Sequence, residues 1–120
     1  MRILVADDTD FVLELLEHML KHQGHTVTSV TNGRQLLEKL GDGSGFDMIL
    51  TDNDMPQMTG LTALSRIRST ETTAKIPVIV LSAADVSKEV HRLSAIYVEK
   101  GRGNNKELWT AVAQIEASLR

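Results

Sequence analysis

Short apolar runs alternate with stretches of helical periodicity along the whole chain. Ile3-Leu4-Val5-Ala6 is continuous and apolar, the pattern of a strand buried on both faces. From about Asp10 to Gln23, Val12, Leu16, Met19 and Leu20 recur at helical spacing, and Gly24 follows as the residue just past the helix end. Val27 to Val30 predicts a second strand, polar enough for a sheet edge. Asn32-Gly33 opens a helix carrying Leu36, Leu37 and Leu40, and Gly41-Asp42-Gly43-Ser44-Gly45 is a loop. Asp47 to Thr51 predicts a third strand. After a loop with Pro56 and Gly60, Leu61, Leu64 and Ile67 mark a third helix. Pro77 precedes Val78-Ile79-Val80-Leu81, the most apolar strand. Val86 to Leu93 is a short helix, Ala95 to Glu99 the last strand, residues 101–105 a turn, and Leu108, Val112, Ile115 and Leu119 the final helical stripe.

Five strand–helix units in strict alternation predict an α/β fold. Strands buried on both faces, joined by right-handed crossovers, make a doubly wound five-stranded parallel sheet with helices on both sides. In such sheets the chemistry lies outside the carboxyl ends of the strands. The 120 residues fit one domain, 1–120, since one core organises about 100–200 residues.

Composition narrows the function. Hydrophobic residues make up 42% and charged residues 24%, which supports a folded core. Thirteen basic against sixteen acidic side chains leave a net charge of −3, with no basic excess to neutralise phosphates, so direct nucleic-acid binding is not expected. Aromatics at 3% are too few for a base-stacking platform. The absence of cysteine excludes disulfides, thiolate zinc sites and thiol nucleophiles. No apolar run approaches the roughly 20 residues that span a bilayer, and Met1 to Val5 is too short for a signal peptide. A cytoplasmic chain without membrane contact is the expectation.

The strand ends carry the candidate chemistry. Asp7 and Asp8 follow the first strand, Asp52 the third with Asp54 two further, Ser82 the fourth and Lys100 the fifth. A lone aspartate or serine there is commonly a cap or turn former. Four of five strands ending in this way is a different matter, although Ser82 alone could simply cap a helix. Clustered carboxylates raise one another's pKa unless a cation sits among them. Mg2+ fits best, with one or two carboxylates, waters and a phosphoryl oxygen around it. Lys100 and Ser82 would engage that phosphoryl group, which implies phosphoryl transfer onto an aspartate.

Ile3 to Asp8, Asp47 to Gly60, Pro77 to Ala83 and Tyr97 to Lys100 resemble the receiver domain of two-component response regulators. The resemblance implies a flavodoxin-like (βα)5 fold with strand order 2-1-3-4-5. It implies that Asp52 accepts a phosphoryl group from a histidine kinase or histidine phosphotransfer protein and that an output partner is controlled. Asp8, Asp52 and the backbone carbonyl of Asp54 would ligate Mg2+, with Asp7 holding the metal's waters. Lys100 would pair with the phosphoryl oxygens, and Ser82 and Tyr97 would move together as the switch. Such a domain is a signalling phospho-acceptor rather than an enzyme.

Three departures accompany the resemblance. Gly101 stands where the family usually has proline after the lysine, often with a cis bond, so a trans or remodelled loop is expected here. Ser82 to Lys100 spans 18 positions, about four fewer than usual and roughly one helical turn; the fourth helix should therefore be the least stable element, and dimerisation through the face of the last two helices weak. Asp54 adds charge beside the entering group. The alternative is a degenerate receiver, an interaction module that is not phosphorylated. A dehalogenase-type phosphatase also carries Asp-x-Asp, but on its first strand, and nothing here suggests its cap domain.

His18 and His22, spaced i, i+4 with His25 beyond, lack a third ligand and are expected to face solvent or the helix C-terminus, as is His91. Trp109 is expected half-buried. Phe11 would line the pocket edge or pack under the first helix.

Overall fold

The computed structural model describes residues 1–42, 45–101 and 105–119. Parts of two expected turns, 43–44 and 102–104, lie outside the described residues. The elements alternate as expected: β1 (Arg2–Ala6), α1 (Asp10–His22), β2 (Thr26–Val30), α2 (Gly33–Leu40), β3 (Met48–Asp52), α3 (Gly60–Ser69), β4 (Val78–Ser82), α4 (Ser87–Arg92), β5 (Ile96–Glu99) and α5 (Lys106–Ser118). All strand pairings are parallel, in the order β2-β1-β3-β4-β5.

Strand alternation splits the core into two layers. Ile3, Val5, Met48, Leu50, Ile79 and Leu81 face α1 and α5. Leu4, Ala6, Ile49, Val78 and Val80 face α2, α3 and α4. The central strands β3 and β4 are buried at every position, whereas β2 at the edge is mostly half-exposed. Local signals set the helix ends. Asn32 Oδ1 accepts from the Gln35 amide at 2.8 Å, and Thr59 Oγ1 from the Thr62 amide at 3.2 Å. Gly24 takes φ +94 just past α1, the left-handed conformation that glycine adopts without a side-chain clash.

Two expectations change, and one of the two places offered for Phe11 is removed. Asp52 and Ser82 are the last residues of β3 and β4 rather than the first beyond them, so the sheet's own hydrogen bonding fixes their backbones. His25 is buried rather than solvent-facing. Its Nδ1 lies 3.0 Å from the Met1 amino group and 3.8 Å from Glu116 on α5, and burial lowers its pKa. Phe11 is 75% exposed on the first turn of α1, not packed beneath the helix. Trp109 is half-buried against the α1/α5 layer.

Chain order makes one crevice special. The chain leaves β1 outward to β2, then returns to β3 on the other side of β1. The helices that follow β1 and β3 therefore diverge, opening a crevice at the carboxyl ends of those two strands.

Candidate functional site

Residues from four strand ends meet at that crevice. The register pairs Ala6 with Thr51, so Asp7 and Asp52, each one residue further on, stand side by side. Both are sealed from solvent, Asp7 at 0% and Asp52 at 1% exposure, while Asp8 is exposed. One carboxylate oxygen from each of Asp7, Asp8 and Asp52 lies within 4.8 Å of the others. Among the described residues this is the one such group of three or more potential ligands. His18 and His22 are exposed with rings stacked 6.5 Å apart, and among the described residues no third ligand joins them.

Lys100 reaches across β4 into the cluster. Its Nζ donates to Asp52 Oδ1 at 3.1 Å and lies 3.7 Å from Asp7 Oδ2. No cis peptide bond occurs among the described residues, and Gly101 takes φ +84. Lys100 thus contacts Asp52 without a proline after it. The Lys100 amide also donates to the Ser82 carbonyl at 2.9 Å, which carries the ladder past the end of β5.

The electrostatics are unbalanced. Burial pushes the Asp52 carboxyl up to about 6; the Lys100 hydrogen bond and charge oppose this, and Asp7 and Asp54 add to it. Burial pulls Lys100 down, but its hydrogen bond to Asp52 and the charges of Asp52, Asp7 and Asp8 outweigh that and raise it overall. Three carboxylates face one ammonium. Asp7 Oδ1 accepts from the Thr9 amide at 2.9 Å, but the buried Oδ2 has no hydrogen-bond partner. A buried carboxylate oxygen with no hydrogen bond, facing only the Lys100 ammonium at 3.7 Å, in an all-oxygen donor set fits a hard divalent cation such as Mg2+.

Ser82 is fully buried, and its Oγ accepts from the Ala84 amide at 3.2 Å. The Tyr97 hydroxyl donates to the Ser82 carbonyl at 3.3 Å and the Ala84 carbonyl at 3.2 Å, tying β5 to the loop after β4. Asp54 is exposed at the rim.

One residue in the site went unnoticed in the sequence. Asn53 is buried and organises the loop between Asp52 and α3. Its side-chain oxygen accepts from the Leu61 amide at 3.0 Å, and its carbonyl from Gly60 at 3.0 Å and Met55 at 3.1 Å. The available signal was its place between two aspartates at the end of an apolar strand, where asparagine organises turns through its own side chain.

The model of the response regulator receiver domain family matches residues 3–99. This chain belongs to that family. Receivers are signalling domains, and this one carries its acidic pocket where a phosphorylation site would fit. The two-component response regulator ORR5 of Oryza sativa subsp. japonica is 32% identical over 90 residues, which are 75% of this chain and 67% of that protein. A 3',5'-cyclic-nucleotide phosphodiesterase, regA of Dictyostelium discoideum, is 41% identical over 86 residues, 71% of this receiver but 11% of that protein. Among solved structures, the response regulator TrrA from Thermotoga maritima, in complex with Mg2+ and BeF, superposes with a TM-score of 0.83. The match covers 95% of this chain and 97% of that one at 30% identity. No helix among the described residues is long and apolar enough to cross a membrane.

Proposed function

We propose that residues 1–120 form one cytoplasmic receiver domain in which Asp52 accepts a phosphoryl group and the resulting change controls an output partner. The observation that carries this reading is the convergence of buried Asp52 with Lys100 at 3.1 Å and with the carboxylates of Asp7 and Asp8. A carboxylate oxygen of Asp52 attacks phosphorus, the bond to the donor imidazole nitrogen of a histidine kinase or phosphotransfer protein breaks, and an aspartyl phosphate forms. Bound Mg2+ supplies neutralisation of the phosphoryl oxygens' charge. Asp8, Asp52 and the Asp54 carbonyl would hold the ion, with Asp7 orienting its waters. Lys100 shifts its hydrogen bond from Asp52 to a phosphoryl oxygen. Ser82 Oγ donates to another, releasing Ala84, and Tyr97 follows because its hydroxyl rests on the same loop. The complex of TrrA with Mg2+ and BeF supports the same chemistry here. Labelling with acetyl phosphate and Mg2+ tests it: a saturable aspartyl adduct is expected, and its absence would favour the unphosphorylated interaction module.

Charge makes the metal-free site unfavourable to fold. A folded-state pKa raised to about 6 means that the folded protein holds a proton which the unfolded chain has already lost at that pH. The penalty is therefore fully present above pH 6 and is relieved as the pH falls from above 6 towards 4. Asp52→Asn should stabilise the metal-free protein at pH 7.5 by about 1–3 kcal/mol, and by little near pH 4. Urea unfolding of both proteins at the two pH values measures the difference. A gain equal at both would remove ionisation as its cause.

Phe11 and Leu15 are large apolar side chains left exposed on α1, beginning three residues beyond Asp8. A protein donor must approach that edge to reach Asp52. Phe11→Ala should slow transfer from a phosphohistidine protein by about tenfold or more, as loss of a well-placed aromatic contact does. Labelling by acetyl phosphate should be unchanged. Equal slowing with both donors would place Phe11 in the chemistry rather than in docking.

A further inference from the structure

Arg68, the penultimate residue of α3, has no carboxylate within ion-pair distance among the described residues. Its guanidinium donates to four backbone carbonyls instead. Nε reaches Leu93 at 2.7 Å; one terminal nitrogen reaches Ile76 at 2.7 Å and Ala74 at 3.2 Å; the other reaches Ser94 at 3.2 Å. These carbonyls belong to two segments, the run entering β4 and the junction of α4 with β5. Half-burial lowers the guanidinium's pKa, while arginine remains charged.

The two ends of α4 are held very differently. At its carboxyl end the Ser94 amide donates to His91 at 3.0 Å and the Ala95 amide to Val90 at 3.1 Å, a paired helix stop that requires the left-handed φ of +55 at Ser94. Glycine usually fills that position, and serine is strained there. The carbonyls that this turn leaves beyond the helix, Leu93 and Ser94, are the ones Arg68 takes, with its positive charge at the negative end of the helix dipole. At the amino end Val86 caps without a side-chain hydrogen bond. The tie there is an exposed one, from the Ser87 amide and hydroxyl to Asp85 at 3.0 and 2.6 Å. Of the six residues of α4, only Val90 is buried. So short a helix has little hold of its own.

We propose that Arg68 is a strap replacing the packing which a longer fourth helix would have, pinning its carboxyl end to α3 and confining the switching motion to its amino end and residues 83–86. The strap stands on the resting geometry alone; the confinement of motion rests on the phosphorylation reading above. Tyr97 links the mobile part to the site through the Ser82 and Ala84 carbonyls.

Segment-resolved hydrogen exchange tests both parts, on the full chain with and without Mg2+ and beryllofluoride. In the metal-free protein, Arg68→Ala should speed exchange of residues 91–96 about tenfold or more while β1 and α5 keep their protection. Arg68→Lys, a compact charge whose three donors sit on one nitrogen in place of a planar fork, should fall between. Beryllofluoride should alter exchange in 83–88 of the wild type and leave 91–96 unchanged, and in Arg68→Ala the response should spread through 91–96. Unchanged protection of 91–96 in metal-free Arg68→Ala overturns the strap. A wild-type response extending through 91–96 overturns the confinement. No response to beryllofluoride anywhere overturns the phosphorylation reading and the confinement with it, while the metal-free comparison still judges the strap. If Arg68→Ala loses β1 and α5 protection as well, Arg68→Lys decides: faster exchange restricted to 91–96 supports the strap, and uniform acceleration overturns it.

Discussion

Asp52→Asn is expected to abolish Mg2+-dependent labelling by acetyl phosphate, to below about one hundredth of the wild-type level, because the amide lacks the anionic oxygen that attacks phosphorus. The substitution keeps size and shape, and the backbone at this position is fixed by β3 pairing with β4. Folding should therefore survive, and the neutral side chain should relieve the buried charge. Loss of labelling with retained or increased stability is the signature of a lost nucleophile rather than a lost fold. Asp54→Asn is the internal control. Asp54 is exposed at the rim and raises the Asp52 pKa only as the smallest of several contributions. Labelling should persist in that variant, with an aspartyl adduct mapped to Asp52 by peptide mass. Full labelling of Asp52→Asn, or an adduct found on Asp8 or Asp54, would defeat the assignment. Hydrolytic turnover of phosphate monoesters by the wild type would instead favour the phosphatase reading.

The second large effect is structural. Gly60→Ala should destabilise the protein by about 3 kcal/mol, a fall in Tm of roughly 10 °C for a domain of this size. A Cβ on Gly60 would lie 2.5 Å from the Asp52 carbonyl oxygen, 3.0 Å from Asn53 Cα and 3.2 Å from the Asp52 carbonyl carbon. All three atoms are backbone of the central strand or its immediate exit, so no side chain can swing away. Either α3 retreats, breaking the Gly60 amide's bond to Asn53, or the end of β3 shifts and carries Asp52 with it. Labelling should therefore slow along with the loss of stability. Gly41→Ala is the comparison. Its Cβ would meet Glu38 O at 3.5 Å in ordinary contact, its φ is −78, and the cost should stay within about 0.5 kcal/mol. Equal effects at the two glycines in thermal unfolding would show that the close approach beside Asp52 is not what constrains position 60.

The fold was legible because its signals are local and repeat. Continuous apolar runs such as Ile3 to Ala6 and Val78 to Leu81 are too short for a buried helix and fit a strand covered on both faces, and the helices between them dictate parallel pairing. That order alone sends Asp7, Asp8, Asp52, Ser82 and Lys100 to one sheet edge, so the candidate site could be named from strand ends. Element boundaries slipped by a residue, as at Asp52 and Ser82, because a strand ends where its partner stops pairing, which the strand's own residues do not encode.

Tertiary structure decided what depends on partners distant in sequence. Asp7 and Asp8 are neighbours with the same side chain and both reach the cluster, yet one is sealed and one exposed, because Asp7 lies beside buried Asp52 in the sheet's register while Asp8 is one residue further out of the sheet. The Asp52 carboxyl is pushed up by burial under surrounding packing, and opposed by a lysine 48 positions away. His25 reads as a surface histidine in the sequence, and only the packed chain buries it beside the Met1 amino group and Glu116 of α5. Asn53 and Arg68 carried no periodic signal, since each acts through backbone groups, and any residue's carbonyl can serve as the acceptor. Sequence pattern determined which side chains reach the carboxyl edge; only the packed chain determined which are dry, which are paired, and that an arginine on α3 holds the end of a helix 25 positions away.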